Sequence, residues 1–188
     1  RKRYHSGHWR DLAAAIRHLD AEPGAPTDQG IVAMGVSLGG TILLNHLIAS
    51  GENHGLRAAV TVSTPLDLSE SSGNFLKPSN RVYNGYLLER MKDFTRTAAP
   101  GRDWQEVIDK CRSVREFDDR IVAPWNGFDG AEDYYRRCSP ARALGDIRCR
   151  SLLIHALDDP WIPATAYRQD VSGIPSIKMK LFRHGGHV

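Results

Sequence analysis

The stretch IVAMGVSLGGTILLNHLIASG, residues 31–51, decides the fold of this chain. It opens with a short apolar run, Ile31–Met34, of the kind that forms a strand buried on both faces. Ser37 follows just past that run, and apolar residues then recur at helical spacing until Gly51, at Leu43, Leu44, Leu47 and Ile48. The stretch therefore predicts a buried strand, a sharp turn and a helix, an order typical of α/β proteins.

The predicted turn carries a GxSxG motif, Gly35–Gly39, with Ser37 at its centre. A serine at the apex of a strand-to-helix turn is typical of a hydrolase nucleophile. The two glycines are expected to remove Cβ atoms that would clash there. The alternative interpretation is a glycine-rich helix start in which Ser37 caps the helix. The apolar strand before the motif and the apolar helix after it favour the nucleophile.

Other segments complete an α/β pattern. Apolar residues at steps of three and four predict a helix over residues 9–19. Runs rich in β-branched and apolar residues predict further strands at 58–63, 151–155 and 177–182. We therefore predict the α/β class, with about four mostly parallel strands and flanking helices.

The segment between the second and third predicted strands has no strand character. It is rich in tyrosine, arginine, aspartate and tryptophan, and helical patterns occur near residues 82–92 and 103–112. We predict that it forms a helical cap, inserted at about 66–147 into one domain that spans 1–188. Its charged run Arg115–Arg120 is either a substrate gate or a solvated face with local ion pairs.

A serine hydroxyl needs a base within hydrogen-bond reach and a third group that orients the base. In the chain order serine, acid, histidine, the acid follows a late strand and the histidine follows the last strand. Each place offers two candidates. Asp158 and Asp159 follow the strand predicted at 151–155, and His184 and His187 follow the one at 177–182.

One residue of each pair is the better candidate. We favour Asp159, because two prolines stiffen the turn after it, and we assign Asp158 to capping that turn. We favour His187, because two glycines separate it from the strand and let its ring reach toward Ser37. His184 then either supports His187 or lies on the surface.

Composition argues against several other classes of function. The 188 residues are 41% hydrophobic and 25% charged, and a net charge of +3 is too small to indicate a nucleic-acid or membrane surface. The cysteines form no CxxC pair and the remaining histidines lack metal-ligand spacing, so we expect neither a metal nor a cofactor. His155, for example, is interpreted as a structural residue that ends a strand. No segment has the length and hydrophobicity of a membrane span or signal peptide, and we expect a cytoplasmic protein.

Over nearly its whole length the chain resembles the YheT-type esterases, a branch of the α/β-hydrolase superfamily. The GxSxG motif and the acid loop belong to the whole superfamily, whereas the REFDD and DYY segments are more specific to this branch. The matching stretches are Tyr4–Gly7 with Asp11–Leu12, Met34–Gly40, Thr64–Leu68, Arg115–Asp119, Asp133–Tyr135, Asp158–Pro160 and Gly185–Val188.

The resemblance implies that Ser37, Asp159 and His187 form a charge-relay set that acts on carboxylic esters. The backbone N–H of Leu38 would stabilise the oxyanion. It also implies earlier strands, a loop that supplies another oxyanion-hole amide, and a final helix after the base. We therefore expect the chain to be the C-terminal part of its catalytic domain, with residues 31–34 at an open sheet edge.

The sequence thus predicts a serine hydrolase that cleaves carboxylic esters through an acyl-enzyme intermediate. Acyl transfer to an alcohol would use the same residues, and an inactive fragment or a binding module would keep the fold without the chemistry. The expected partner is a small ester with an apolar acyl chain, and no nucleic acid. Six aromatic residues either line an acyl pocket or pack in the core: Tyr83, Tyr86, Trp125, Tyr134, Tyr135 and Trp161.

Overall fold

The computed structural model describes residues 5–24, 29–98 and 102–188, and these residues contain one four-stranded sheet. The strands follow chain order across the sheet, and each pair of neighbours runs parallel. The prediction of about four parallel strands with flanking helices is confirmed. The strands are β1 (Val32–Val36), β2 (Ala58–Val62), β3 (Ser151–Ala156) and β4 (Ile177–Phe182).

The chain divides into two compact units. The sheet unit comprises Ser6–Asp67 and Cys138–Val188 and contains all four strands. The helical unit comprises Leu68–Arg137 with His5, and its described residues contain no strand. The sequence predicts that residues 66–147 form a cap on the sheet. Because a cap is defined by how two units are arranged, this stays a prediction.

Two long helices and the sheet form the core of the sheet unit. The helices are α1 (Arg10–Ala21) and α2 (Leu38–Ser50), close to the bounds that periodicity predicts. Leu44 and Leu47 of α2 are completely buried in this core. Burying a leucine stabilises a fold by about 1.5–3 kcal/mol, so these contacts hold α2 firmly against the strands.

β1 lies at one edge of the sheet in the described residues, since it pairs only with β2 there. The prediction that this strand is buried on both faces is wrong. Val32 and Met34 are 60% and 67% exposed, whereas Ala33 on the opposite face packs against the core. Hydrophobicity alone predicted burial, but burial also depends on which elements cover each face of the strand.

The helical unit has its own core. Leu88, Ile108, Phe117 and Ile121 are buried together, and Ile108 and Ile121 are completely inaccessible. No helix in the described part of the chain is long and apolar enough to cross a membrane. The helices of this segment are α3 (Leu68–Phe75), α4 (Arg81–Ala98), α5 (Arg102–Lys110), α6 (Val114–Phe117), α7 (Ala123–Asn126) and α8 (Ala131–Cys138).

A buried acid lies in the charged run of the helical unit. Phe117 and Asp118 are 2% and 8% exposed, so the run is not simply a solvated face. The backbone forms a π-helical turn at Asp118–Val122, and the Tyr135 hydroxyl donates a 2.7 Å hydrogen bond to Asp118 Oδ2. Burial raises the pKa of Asp118 to about 7, although Tyr135 and Arg115 both act to lower it.

This raised pKa makes the stability of the protein depend on pH. The folded chain keeps the Asp118 proton at pH values where the unfolded chain has lost it. The free energy of unfolding should therefore fall as pH rises from about 4 to about 7. Asp118→Asn should remove this dependence, which amounts to roughly 4 kcal/mol at most. Urea titrations of the full-length protein at about pH 5 and about pH 8 measure it.

The control is Asp129→Asn, an exposed acid of the same unit. If both variants keep the slope of the wild type, Asp118 does not titrate in this range.

Candidate active site

Ser37 lies in a sharp turn between β1 and α2. Its backbone has a φ of 50° and a ψ of −125°, a conformation that residues other than glycine rarely adopt. The Ser37 N–H donates to the Val62 carbonyl over 2.9 Å, which fixes the turn to the end of β2. The hydroxyl makes no capping bond to α2, so the interpretation of Ser37 as a helix cap is wrong. The hydroxyl instead lies 3.1 Å from His187 Nε2.

Close packing around this turn explains only one of the two motif glycines. A Cβ on Gly35 would lie 2.6 Å from Gly40 Cα, so no side chain fits there. A Cβ on Gly39 would meet nothing within 4 Å, and the prediction of a clash at this position is wrong. The second tight position is Gly40, where a Cβ would overlap the side chain of Thr64. Gly35 and Gly40 allow β1, α2 and the end of β2 to approach closely.

Alanine substitutions at the two neighbouring glycines should therefore differ. Gly40→Ala should lower the free energy of unfolding by about 1–3 kcal/mol or more, because it overpacks the contact with Thr64. Gly39→Ala serves as the matched control and should change it by less than about 0.5 kcal/mol, because Gly39 is exposed. Thermal and urea unfolding of both variants measure the difference. Equal effects would contradict the role of Gly40 in packing.

Asp159 lies in the turn that follows β3, and its side chain is fully buried. Its Oδ1 accepts hydrogen bonds from the backbone N–H groups of Trp161 and Ile162, both at 2.9 Å. Its Oδ2 lies 2.7 Å from His187 Nδ1. Burial by itself would raise the pKa of Asp159, but the bonds from His187 and the two N–H groups lower it below its ordinary value. The carboxylate is therefore held in its charged form.

His187 joins Asp159 to Ser37. Its Nε2 lies 3.1 Å from Ser37 Oγ, and its Nδ1 faces Asp159, so the three predicted residues form one line of contacts. Gly186 has a φ of 65°, which lets the chain turn back over the strand ends as the two-glycine spacing predicts. The ring of Trp161 lies 4.6 Å from that of His187 and covers one side of it. The His187 side chain is only 4% exposed.

The competing candidates Asp158 and His184 form a separate pair at the surface. His184 is 87% exposed, and its Nδ1 lies 3.3 Å from Asp158 Oδ2. Asp158 Oδ1 accepts a 2.9 Å hydrogen bond from the Gly186 N–H. The prediction that Asp158 caps the turn after β3 is wrong, because Asp159 accepts both N–H groups of that turn. Asp158 instead ties this turn to the segment that carries His187.

The bond from Gly186 predicts how substitutions of Asp158 affect Ser37. Asp158→Ala removes the acceptor and loosens the segment before His187, at a cost of about 1 kcal/mol. The rate at which a fluorophosphonate probe labels Ser37 should then fall about fivefold, whereas Asp158→Asn, which keeps an acceptor oxygen, should stay within about twofold of wild type. His184→Ala, which removes the surface side chain that contacts Asp158 Oδ2, is the control. Identical rates in all variants would show that Asp158 does not position the segment.

Other predicted residues have varied surroundings. Leu38 begins α2, where its N–H belongs to the first turn of the helix. Tyr134 and Tyr135 are buried inside the helical unit, and Tyr86 is 59% exposed, so the six aromatic residues do not share one environment. The sequence indicates only a structural role for His155, yet its Nδ1 lies 4.0 Å from Asp159 Oδ2. Its place four residues before Asp159 is the only local signal that could have revealed this contact.

Comparison with known proteins identifies the family. A model of the alpha/beta hydrolase family matches residues 2–188, and the chain belongs to this family. It is 38% identical to YheT of Escherichia coli (strain K12) over 98% of the chain, which confirms the resemblance inferred from the motifs. It is 31% identical to the monoacylglycerol lipase of Saccharomyces cerevisiae (strain ATCC 204508 / S288c) over 82% of the chain.

These relatives are considerably longer than the chain. The chain spans 55% of YheT and 37% of the yeast lipase. Among solved structures, the esterase PF2001 of Pyrococcus furiosus matches with a TM-score of 0.54 and 15% identity, covering 95% of this chain and 53% of that protein. This likeness confirms the α/β-hydrolase fold.

Proposed function

We propose that the protein is a serine hydrolase that cleaves carboxylic esters through an acyl-enzyme intermediate. The observation that carries the proposal is the line of contacts from Ser37 Oγ through His187 to the carboxylate of Asp159, with distances of 3.1 and 2.7 Å. A nucleophile, a base and an orienting acid within hydrogen-bond reach are what acyl transfer to serine requires.

The first half-reaction follows from this geometry. As Ser37 Oγ attacks the ester carbonyl carbon, His187 Nε2 takes the hydroxyl proton and the carbonyl electrons move to its oxygen. The tetrahedral intermediate then collapses, the alcohol leaves with the proton from His187, and the acyl group stays on Ser37. The charged Asp159 fixes the tautomer of His187 and stabilises the imidazolium that forms.

The second half-reaction repeats these roles with water. His187 takes a proton from water as the water oxygen attacks the acyl carbon. The carboxylic acid then leaves as His187 returns the proton to Ser37 Oγ. We assign the backbone N–H of Leu38 to the oxyanion in both steps. The first N–H groups of a helix have no partner within the helix, and the positive end of the helix dipole favours a developing negative charge.

The proposed substrate is an ester with an apolar acyl chain. The yeast relative is named a monoacylglycerol lipase, and such an ester joins a fatty acid to glycerol. Trp161 places a large aromatic ring beside His187, and such a ring offers an apolar surface to an acyl chain. We further propose that the protein acts in the cytoplasm, where its buried cysteines Cys111 and Cys149 stay reduced.

Activity of the full-length protein tests the proposal. The wild type should react with a fluorophosphonate probe and hydrolyse p-nitrophenyl esters, and Ser37→Ala should abolish both. Asp159→Asn should lower kcat on the order of a thousand- to ten-thousand-fold, because it removes the charge that orients His187. His184→Ala, at the exposed neighbouring histidine, is the matched control and should keep kcat within about twofold. A wild type that the probe does not label, or a Ser37→Ala variant that still turns over, would overturn the proposal.

A further inference from the structure

His155 is a buried histidine whose ring nitrogens lack hydrogen bonds of ordinary geometry. It lies near the end of β3 and is 1% exposed. Neither Nδ1 nor Nε2 has a hydrogen-bond partner of ordinary geometry within the described residues, although the backbone of Ile162 lies close enough to interact with the ring. His46, the other histidine buried to this extent, differs: its Nε2 lies 2.9 Å from the His54 carbonyl and its Nδ1 lies 3.1 Å from Ser50 Oγ.

An unsatisfied imidazole destabilises a fold, because its ring nitrogens lose water and gain no partner. A phenylalanine in the same place would avoid this cost and keep an aromatic ring. The packing around His155 therefore does not require a histidine, and the polar groups that interact with its ring are the carboxylate of Asp159 and the backbone of Ile162.

One face of the His155 ring is held by Tyr167. The two rings stack at 4.1 Å with an angle of 4° between their planes. Tyr167 is itself fixed, because its hydroxyl donates to the Thr64 carbonyl over 2.7 Å and accepts from the Thr64 N–H over 3.0 Å. This stack leaves the His155 ring little freedom to rotate.

The Nδ1 atom of His155 faces Asp159. It lies 4.0 Å from Oδ2, the same carboxylate oxygen that contacts His187 Nδ1. Burial lowers the pKa of His155, whereas Asp159 and the backbone of Ile162 act in the opposite direction. At neutral pH the ring is therefore uncharged, so it adds no positive charge beside Asp159.

We propose that His155 is a positioning residue for Asp159. Its ring, stacked on Tyr167, directs Nδ1–H toward Oδ2 and holds the carboxylate in line with His187. This role rests on the proposed function. A separation of 4.0 Å is too long for a hydrogen bond, but a dipole attracts a buried charge at that distance. Contacts of this kind often shorten when the substrate complex forms.

Two substitutions in the full-length protein separate positioning from packing. His155→Phe keeps the ring and removes both nitrogens, whereas His155→Asn removes the ring and keeps an N–H close to the position of Nδ1. We expect His155→Phe to unfold at the same temperature as wild type or higher, and its kcat and probe-labelling rate to fall about ten- to a hundredfold. Its KM should stay within about twofold, because His155 is buried and acts through Asp159.

The Asn variant makes the expectation specific. His155→Asn should be less stable than His155→Phe and yet label faster with the fluorophosphonate probe, the reverse of the order that a packing role produces. Leu153→Val, on the same face of β3, is the matched control: it should lower the unfolding temperature and leave the labelling rate unchanged.

The possible results lead to different conclusions. A labelled wild type with an equally fast His155→Phe variant, or an Asn variant slower than the Phe variant, overturns the positioning role and leaves the proposed function intact. A wild type that the probe does not label overturns the proposed function and the positioning role together.

Discussion

The buried carboxylate of Asp159 is the charge around which this site is organised. A carboxylate without water is costly unless polar groups replace its hydration, and here the groups come from two directions. One oxygen accepts two N–H groups from its own turn, and the other contacts His187. The turn after β3 and the segment after β4 must therefore both be in place before this charge is stable. The same contacts align the imidazole with Ser37.

The parallel sheet brings these segments together. β1, β3 and β4 run in the same direction, so the residues that follow them all lie at the carboxyl end of the sheet. At that end, short polar contacts between backbone and side chains set the positions of these residues. Ser37 is tied to β2 through the Val62 carbonyl, and Asp158 binds the Gly186 N–H. Regular structure thus provides the approximate placement, and a few hydrogen bonds set the distances between Ser37, His187 and Asp159.

Local pattern was sufficient to predict the four strands, α1 and α2, and to select the three residues that we propose for the active site. Apolar periodicity located α2 and the last strand almost to the residue, because each depends on neighbours close in sequence. Long-range contacts were not predictable in this way. The role of Asp158 depends on an N–H 28 positions away, and the setting of His155 depends on Tyr167. The fit of Gly40 against Thr64 likewise appears only when α2 meets the end of β2.

Ser37, Asp159 and His187 all belong to the sheet unit, although the helical unit interrupts the sequence between the first two. This division implies that the two units tolerate amino-acid substitutions to different degrees during evolution. Close contacts at Gly35 and Gly40 leave the sheet unit few acceptable replacements near the reacting atoms. The helical unit has a core of its own, so its surface can diversify while the chemistry is conserved. Related proteins can therefore change the surface of the helical unit without rebuilding the packing around Ser37.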